Sequence, residues 1–156
     1  MSRMVVTMED AAMEYADLVS QSPDAVIFAD REGAIRVWNA AAERIFGHTP
    51  EAAIGQTLDL IVPERFREAH WTGFNRALED GVTKYVGQSL ATRSMRADGT
   101  AIYIELSFAI VLDAAGVATG ALATARDITE RFENDRTQRR HVEELETLVE
   151  RLRHGG

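Results

Sequence analysis

The 156-residue chain predicts an α+β fold in which two strands, a block of helices and three further strands follow one another, with a helix at each end. Three observations predict it. Ala25 to Asp30 and Ala34 to Trp38 flank Arg31-Glu32-Gly33, the pattern of a hairpin around an acidic-glycine turn. Ile102, Ile104, Leu106, Phe108 and Ile110 alternate with Tyr103, Glu105, Ser107 and Ala109, the period of a strand with one buried face. Between these regions apolar residues recur at helical spacing and are bounded by capping residues.

Val5, Met8, Ala12, Tyr15, Ala16 and Val19 fall on one side of a helix from Val5 to Ser20. Residues 1–20 therefore form a cap helix that needs a partner surface, either the sheet or a second subunit. After the break at Ser22-Pro23-Asp24 the core occupies residues 21–129. Asn39 is placed to N-cap a short helix, Ala40 to Phe46, which Gly47 ends; Thr49-Pro50-Glu51 opens another helical piece ending near Gly55. A long helix from Pro63 to Asp80 follows. Strands are then expected at Tyr85 to Met95, Ala101 to Leu112 and Ala118 to Asp127, with turns at Ala97-Asp98-Gly99 and Asp113-Ala114-Ala115-Gly116. Residues 130–156 read as a polar helix in which Val142, Leu145, Val149 and Leu152 make an a/d stripe, interrupted upstream at Asp135 and Gln138. Such a helix either packs on its own domain or pairs with a second copy as a signalling helix, and both readings stand.

Composition narrows the function. With 46% hydrophobic and 27% charged residues the chain is an ordinary soluble globular domain, and no apolar run approaches the roughly 18 residues that span a bilayer. The opening residues lack a secretory apolar segment, so a cytoplasmic protein away from membranes is expected. Zero cysteines exclude disulfides, thiolate metal sites, cysteine nucleophiles and cysteine–flavin photochemistry. A net charge of −8 disfavours nucleic acid, and Arg136, Arg139 and Arg140 sit in an acid-rich helix as a solvated face. The motifs of phosphate loops, zinc proteases and nucleophile elbows are missing, so catalysis is not expected.

His70 is the residue with the most chemical potential. On the Pro63 to Asp80 helix it shares a face with Phe66, Gly73 and Ala77, where small and apolar neighbours would admit a flat cofactor. The alternative is a histidine packed on the sheet and hydrogen-bonded to a backbone carbonyl. His48 beside a turn, and His141 and His154 on the terminal helix, read as solvated.

Ser22-Pro23-Asp24-Ala25-Val26, Asp30-Arg31-Glu32-Gly33, Trp38-Asn39-Ala40-Ala41-Ala42-Glu43-Arg44-Ile45-Phe46-Gly47, Arg96-Ala97-Asp98-Gly99 and Arg126-Asp127-Ile128-Thr129 together resemble the PAS domain family in order and spacing. The resemblance covers about Asp17 to Arg131. It implies a five-stranded antiparallel sheet with helices on one face enclosing a pocket, and a sensory or dimerisation role. It also implies that Asp127-Ile128-Thr129 joins the last strand to a helix that carries the signal to an output domain.

Within that family, Pro63-Glu64-Arg65-Phe66-Arg67-Glu68-Ala69-His70 resembles the segment bearing the iron ligand in haem-PAS oxygen sensors of the kinase and phosphodiesterase types. The resemblance implies haem b with His70 as its metal ligand, Arg76 and Lys84 against the propionates, Leu106 and Phe108 on the distal wall, and Ala123 small beside a bound diatomic gas. Leu90 stands where those sensors carry an arginine, and Gln88 where the phosphodiesterase type carries a methionine. Which of Gln88 and Leu90 faces the iron is open. The reading is a haem-PAS gas or redox sensor, a homodimer through its end helices; the competing one is a PAS interaction module with no haem or with another small apolar ligand.

Overall fold

The structure is a computed structural model that describes residues 8–155, and the side chains from residue 14 onward. Helix α1 spans Met8–Gln21, β1 Ala25–Asp30, β2 Ile35–Trp38, α2 Ala40–Phe46 and α3 Pro50–Ala53. Two 3-10 turns, Leu58–Leu60 and Glu64–Phe66, lead into α4, Arg67–Asp80. Then come β3 Leu90–Met95, β4 Ala101–Leu112, β5 Ala118–Asp127 and α5 Thr129–His154. Val5, the expected start of the first helix, lies outside the described residues.

The strands form one antiparallel sheet in the order β2-β1-β5-β4-β3. Its register aligns Leu90, Leu106, Ala125 and Ala25 in one row, and Phe108, Ala123, Ile27 and Trp38 in another. Because side chains alternate along a strand, both rows share the helix-covered face. The buried core gathers Ala25, Ile27, Ile35, Trp38, Ala42, Phe46, Ala53, Ile102, Ile104 and Ala125, with Leu106 and Ala123 only partly buried beside it. Packing is therefore densest under α2 and thins toward the sheet positions of Leu106, Phe108 and Ala123.

Asn39 fixes the dense end. Only 5% exposed, it accepts hydrogen bonds from Ala42 N (3.0 Å) and Val26 N (2.9 Å) and donates to Val19 O (2.8 Å) and Asp24 O (3.1 Å). One amide thus caps α2 and ties it to β1 and the end of α1, leaving none of its own polar atoms unsatisfied. Gly47 ends α2 with φ of 79°, a conformation that favours glycine.

Two expected boundaries move. The third strand starts at Leu90 instead of Tyr85, because Tyr85 O accepts a bond from Gln88 N (3.0 Å) and Gly87 adopts φ of 72°, so the chain turns before it extends. The helix expected from Pro63 is a 3-10 turn followed by α4. At the other end, Ile128 is buried and Phe132 stacks on Tyr103 at 3.9 Å, whereas every described residue of α5 after Phe132 is exposed. Docking on its own domain is thus confined to the start of α5. Among the described residues no helix is long and apolar enough to cross a membrane.

Candidate ligand-binding site

On α4 the residues drawn out of solvent are Arg67, His70, Trp71, Phe74, Ala77 and Leu78, a helical stripe, while those between them are exposed. Arg67 anchors its start by donating to Val62 O (3.0 Å) and Asp59 O (3.2 Å). Trp71 Nε1 donates to Asp59 Oδ1 (2.8 Å), and the Trp71 ring lies against Gly33 in the β1–β2 turn, where a β-carbon would overlap it. Gly33 also needs its positive φ of 81°. Asp59 and Gly33 together set the rotation of α4 about its axis.

That rotation corrects the expected surroundings of His70. Its imidazole meets Trp71 edge-on (ring centroids 4.8 Å) and Phe74 at a tilt (6.1 Å). Of the three expected neighbours only Ala77 shares its half-buried stripe. Gly73 is exposed, and Phe66 is 40% exposed beneath the Arg65 guanidinium, 4.6 Å from its centroid.

Burial lowers the His70 pKa from its usual range, opposed in part by the negative charge of Asp59. The ring is therefore neutral near pH 7. Its Nδ1 is buried with no hydrogen-bond partner. A histidine packed for structure alone would be expected to satisfy that nitrogen with a carbonyl; here it is left free.

The remaining expected site residues divide. Leu90, Leu106, Phe108 and Ala123 come together on the covered face of the sheet, each only partly buried. Gln88 is exposed and precedes the strand, so of the pair only Leu90 stands on β3. Arg76 and Lys84 are exposed and in no ion pair among the described residues; Lys84 Nζ sits 4.9 Å from the Tyr85 ring centroid, and Tyr85 meets Phe108 edge-on at 6.0 Å. A neutral imidazole with an unsatisfied nitrogen and an apolar, incompletely buried wall fit an apolar iron cofactor; the aromatic rings beside His70 limit how closely it approaches α4.

Nothing in the sequence marks Asp59, and the turn beside His48 suggests a solvated ring. Asp59 is a short-range partner of α4 whose signal, an acid shortly before a helix start, is common. His48 instead has its Nε2 buried.

A family model described as the PAS fold matches residues 19–133. The chain belongs to the PAS family. The PAS domain of a Colwellia psychrerythraea protein superposes with a TM-score of 0.67 at 26% identity, over 78% of this chain and 99% of that one. Sensor protein FixL of Bradyrhizobium diazoefficiens is 34% identical over 85 residues, 54% of this chain and 17% of FixL. Oxygen sensor protein DosP of Escherichia coli is 25% identical over 93 residues, 60% of this chain and 12% of DosP. The chain spans a small fraction of both sensors. As a PAS domain it is a sensory module of signalling proteins, a type that senses or pairs and is not typically catalytic.

Proposed function

We propose that this PAS domain binds b-type haem through His70, senses a diatomic gas or a redox change, and passes the signal from its sheet into α5. The observation that carries the proposal is the buried, unpartnered Nδ1 of a neutral His70. The likeness to FixL and to an oxygen sensor, DosP, supports the same reading. When bound, haem supplies an iron centre that takes a small gas or exchanges an electron. The chain's own residues do the rest. His70 offers a deprotonated ring nitrogen. Leu90, Leu106, Phe108 and Ala123 keep water from one side, and Arg76 and Lys84 are free to meet the propionates. Leu90 places no hydrogen-bond donor on the wall, and Gln88, whose amide could donate, lies exposed before β3.

Transmission has a defined start. Tyr103 N donates to Thr129 Oγ1 (3.0 Å), Ile128 N donates to Tyr103 O (2.9 Å), and Phe132 stacks on Tyr103, so a shift of β4 moves the root of α5. The exposed Val142, Leu145, Val149 and Leu152 then form a homodimer seam leading to an output domain in the cytoplasm. The test is haem reconstitution of the purified chain. Stoichiometric uptake with a Soret band, weakened about tenfold or more in His70→Ala, supports the proposal; no band, or affinity unchanged in the variant, refutes it.

A second reading rests on the two aromatic rings against His70. If Trp71 and Phe74 leave no room for a macrocycle, the domain works as a dimerisation module, and the same reconstitution then yields a haem-free dimer.

A further inference from the structure

β4 is longer than the strand beside it. β3 pairs with Ala101 to Leu106, so from Ser107 to Leu112 that edge of β4 has no ladder partner among the described residues. Residues 81–89 run along this open edge. A β-carbon at Gly81 would come within 3.8 Å of the Leu112 side chain, Tyr85 and Phe108 form a T-shaped pair with centroids 6.0 Å apart, and Ser89 Oγ donates to Glu105 Oε1 (2.9 Å). The segment therefore borders the wall that carries Leu106 and Phe108.

Its later half is held lightly. Thr83, only 4% exposed, anchors the start, and its Oγ1 accepts from Tyr85 N (3.2 Å). Beyond it Lys84, Val86, Gly87, Gln88 and Ser89 are all exposed, and Gly87, with φ of 72°, supplies a hinge before β3. The Tyr85 ring and the Ser89 hydroxyl tie this stretch to β4.

Glu105 serves two elements at once. Its Oε1 takes the Ser89 hydroxyl, and its Oε2 accepts from an Arg131 terminal nitrogen (3.3 Å) in the first turn of α5. Arg126, directly across on β5, is engaged instead by the Asp24 carboxylate (2.9 and 3.2 Å). Each bond of Glu105 is weak alone, because the partners are partly exposed. What links them is the rotamer. Fixing a glutamate side chain costs conformational entropy, and here one ordered rotamer makes both bonds, so loss of either leaves the other to offset the whole cost.

We propose that residues 84–89 are a flap over the open edge of β4 and that Glu105 is its latch, shared with Arg131, so that lifting the flap loosens the root of α5. A ligand that moves Tyr85 off Phe108 would draw Ser89 away from Glu105 and so reach α5 without passing through the rest of the sheet. The flap's role as the mouth of a ligand site rests on the proposed function of the Leu106 and Phe108 wall; the coupling through Glu105 does not.

The chain has no cysteine, so a single nitroxide can be attached through Val86→Cys on the flap or through Glu133→Cys in α5. The test is electron paramagnetic resonance of the labelled, haem-free full chain. Ser89→Ala is expected to raise the mobile-to-ordered ratio of the α5 label about twofold or more, and Arg131→Gln to do the same to the flap label. Arg93→Gln, which removes an exposed cation of β3 outside the latch, should leave both spectra unchanged. A change confined in each variant to the label on its own side overturns the coupling, and so does an equal response to Arg93→Gln. Haem uptake plays no part in these spectra, so failure of the latch leaves the His70 site standing, and failure of that site leaves the latch.

Discussion

The Trp71 indole and the His70 imidazole meet in a T-shaped pair with ring centroids 4.8 Å apart, while the indole nitrogen is held by Asp59 at 2.8 Å. Trp71 is thereby fixed from one side by a carboxylate and from the other by the bare backbone of Gly33, and His70 is buried against a ring that cannot swing away. This arrangement keeps the imidazole neutral without giving it a proton acceptor of its own.

The neutral state has a pH signature. Burial places the folded pKa of His70 below its usual value of 6.5, so on acidification the unfolded chain takes up a proton before the folded one does. The stability contributed above that value is lost as pH falls through the folded pKa. Urea midpoints of the haem-free chain should drop from about pH 7.5 to about pH 5.5, and drop less in His70→Leu. Identical pH dependence in the two proteins would show that His70 is not desolvated.

Asn39→Ala removes an N-cap and strips Val26 N, Ala42 N and two carbonyls of their partners. A loss of about 3 kcal/mol in denaturant unfolding is expected. Asn39→Asp should lose less, because it keeps both accepted bonds while giving up the donated ones. A loss below about 1 kcal/mol for the alanine variant would mean that water replaces these bonds readily.

These two residues mark where the sequence is legible. Asn39 and Gly47 bound α2 through neighbours within a few positions, and the alternation of Ile102 to Ile110 shows β4 directly, so these elements lie where local pattern puts them. The surroundings of His70 are not local. Helical spacing allies it equally with Gly73 or with Phe74, and the choice is made by Gly33, a turn residue far upstream that opens a slot for the indole of Trp71. Tyr85 to Ser89 reads as strand by composition, yet a positive φ at Gly87 turns it. His48 reads as solvated because the bonds that enclose it, Trp38 Nε1 to its carbonyl and Ala97 N to Phe46 O, close between distant segments.

The far part of α5 carries its apolar residues in the open, Val142, Leu145, Val149 and Leu152 being between 47% and 73% exposed. An isolated helix with such a stripe is marginal, and a second copy is the partner that its heptad spacing fits. The wild-type chain should run as a dimer in size-exclusion chromatography with light scattering. Leu145→Asp should shift it to monomer while leaving the sheet's circular dichroism intact. A wild-type monomer, or a variant that remains dimeric, would place any pairing elsewhere.

Whether His70 holds iron is decided by an absorption titration with haem. The wild-type chain, His70→Ala and His70→Gly with added imidazole would be compared under the same conditions. A saturating Soret band is expected for the wild type, with affinity weakened about tenfold or more in His70→Ala and recovered in His70→Gly when imidazole is supplied. A wild-type chain that takes up no haem, or one whose spectrum and affinity are indifferent to position 70, would contradict iron at His70.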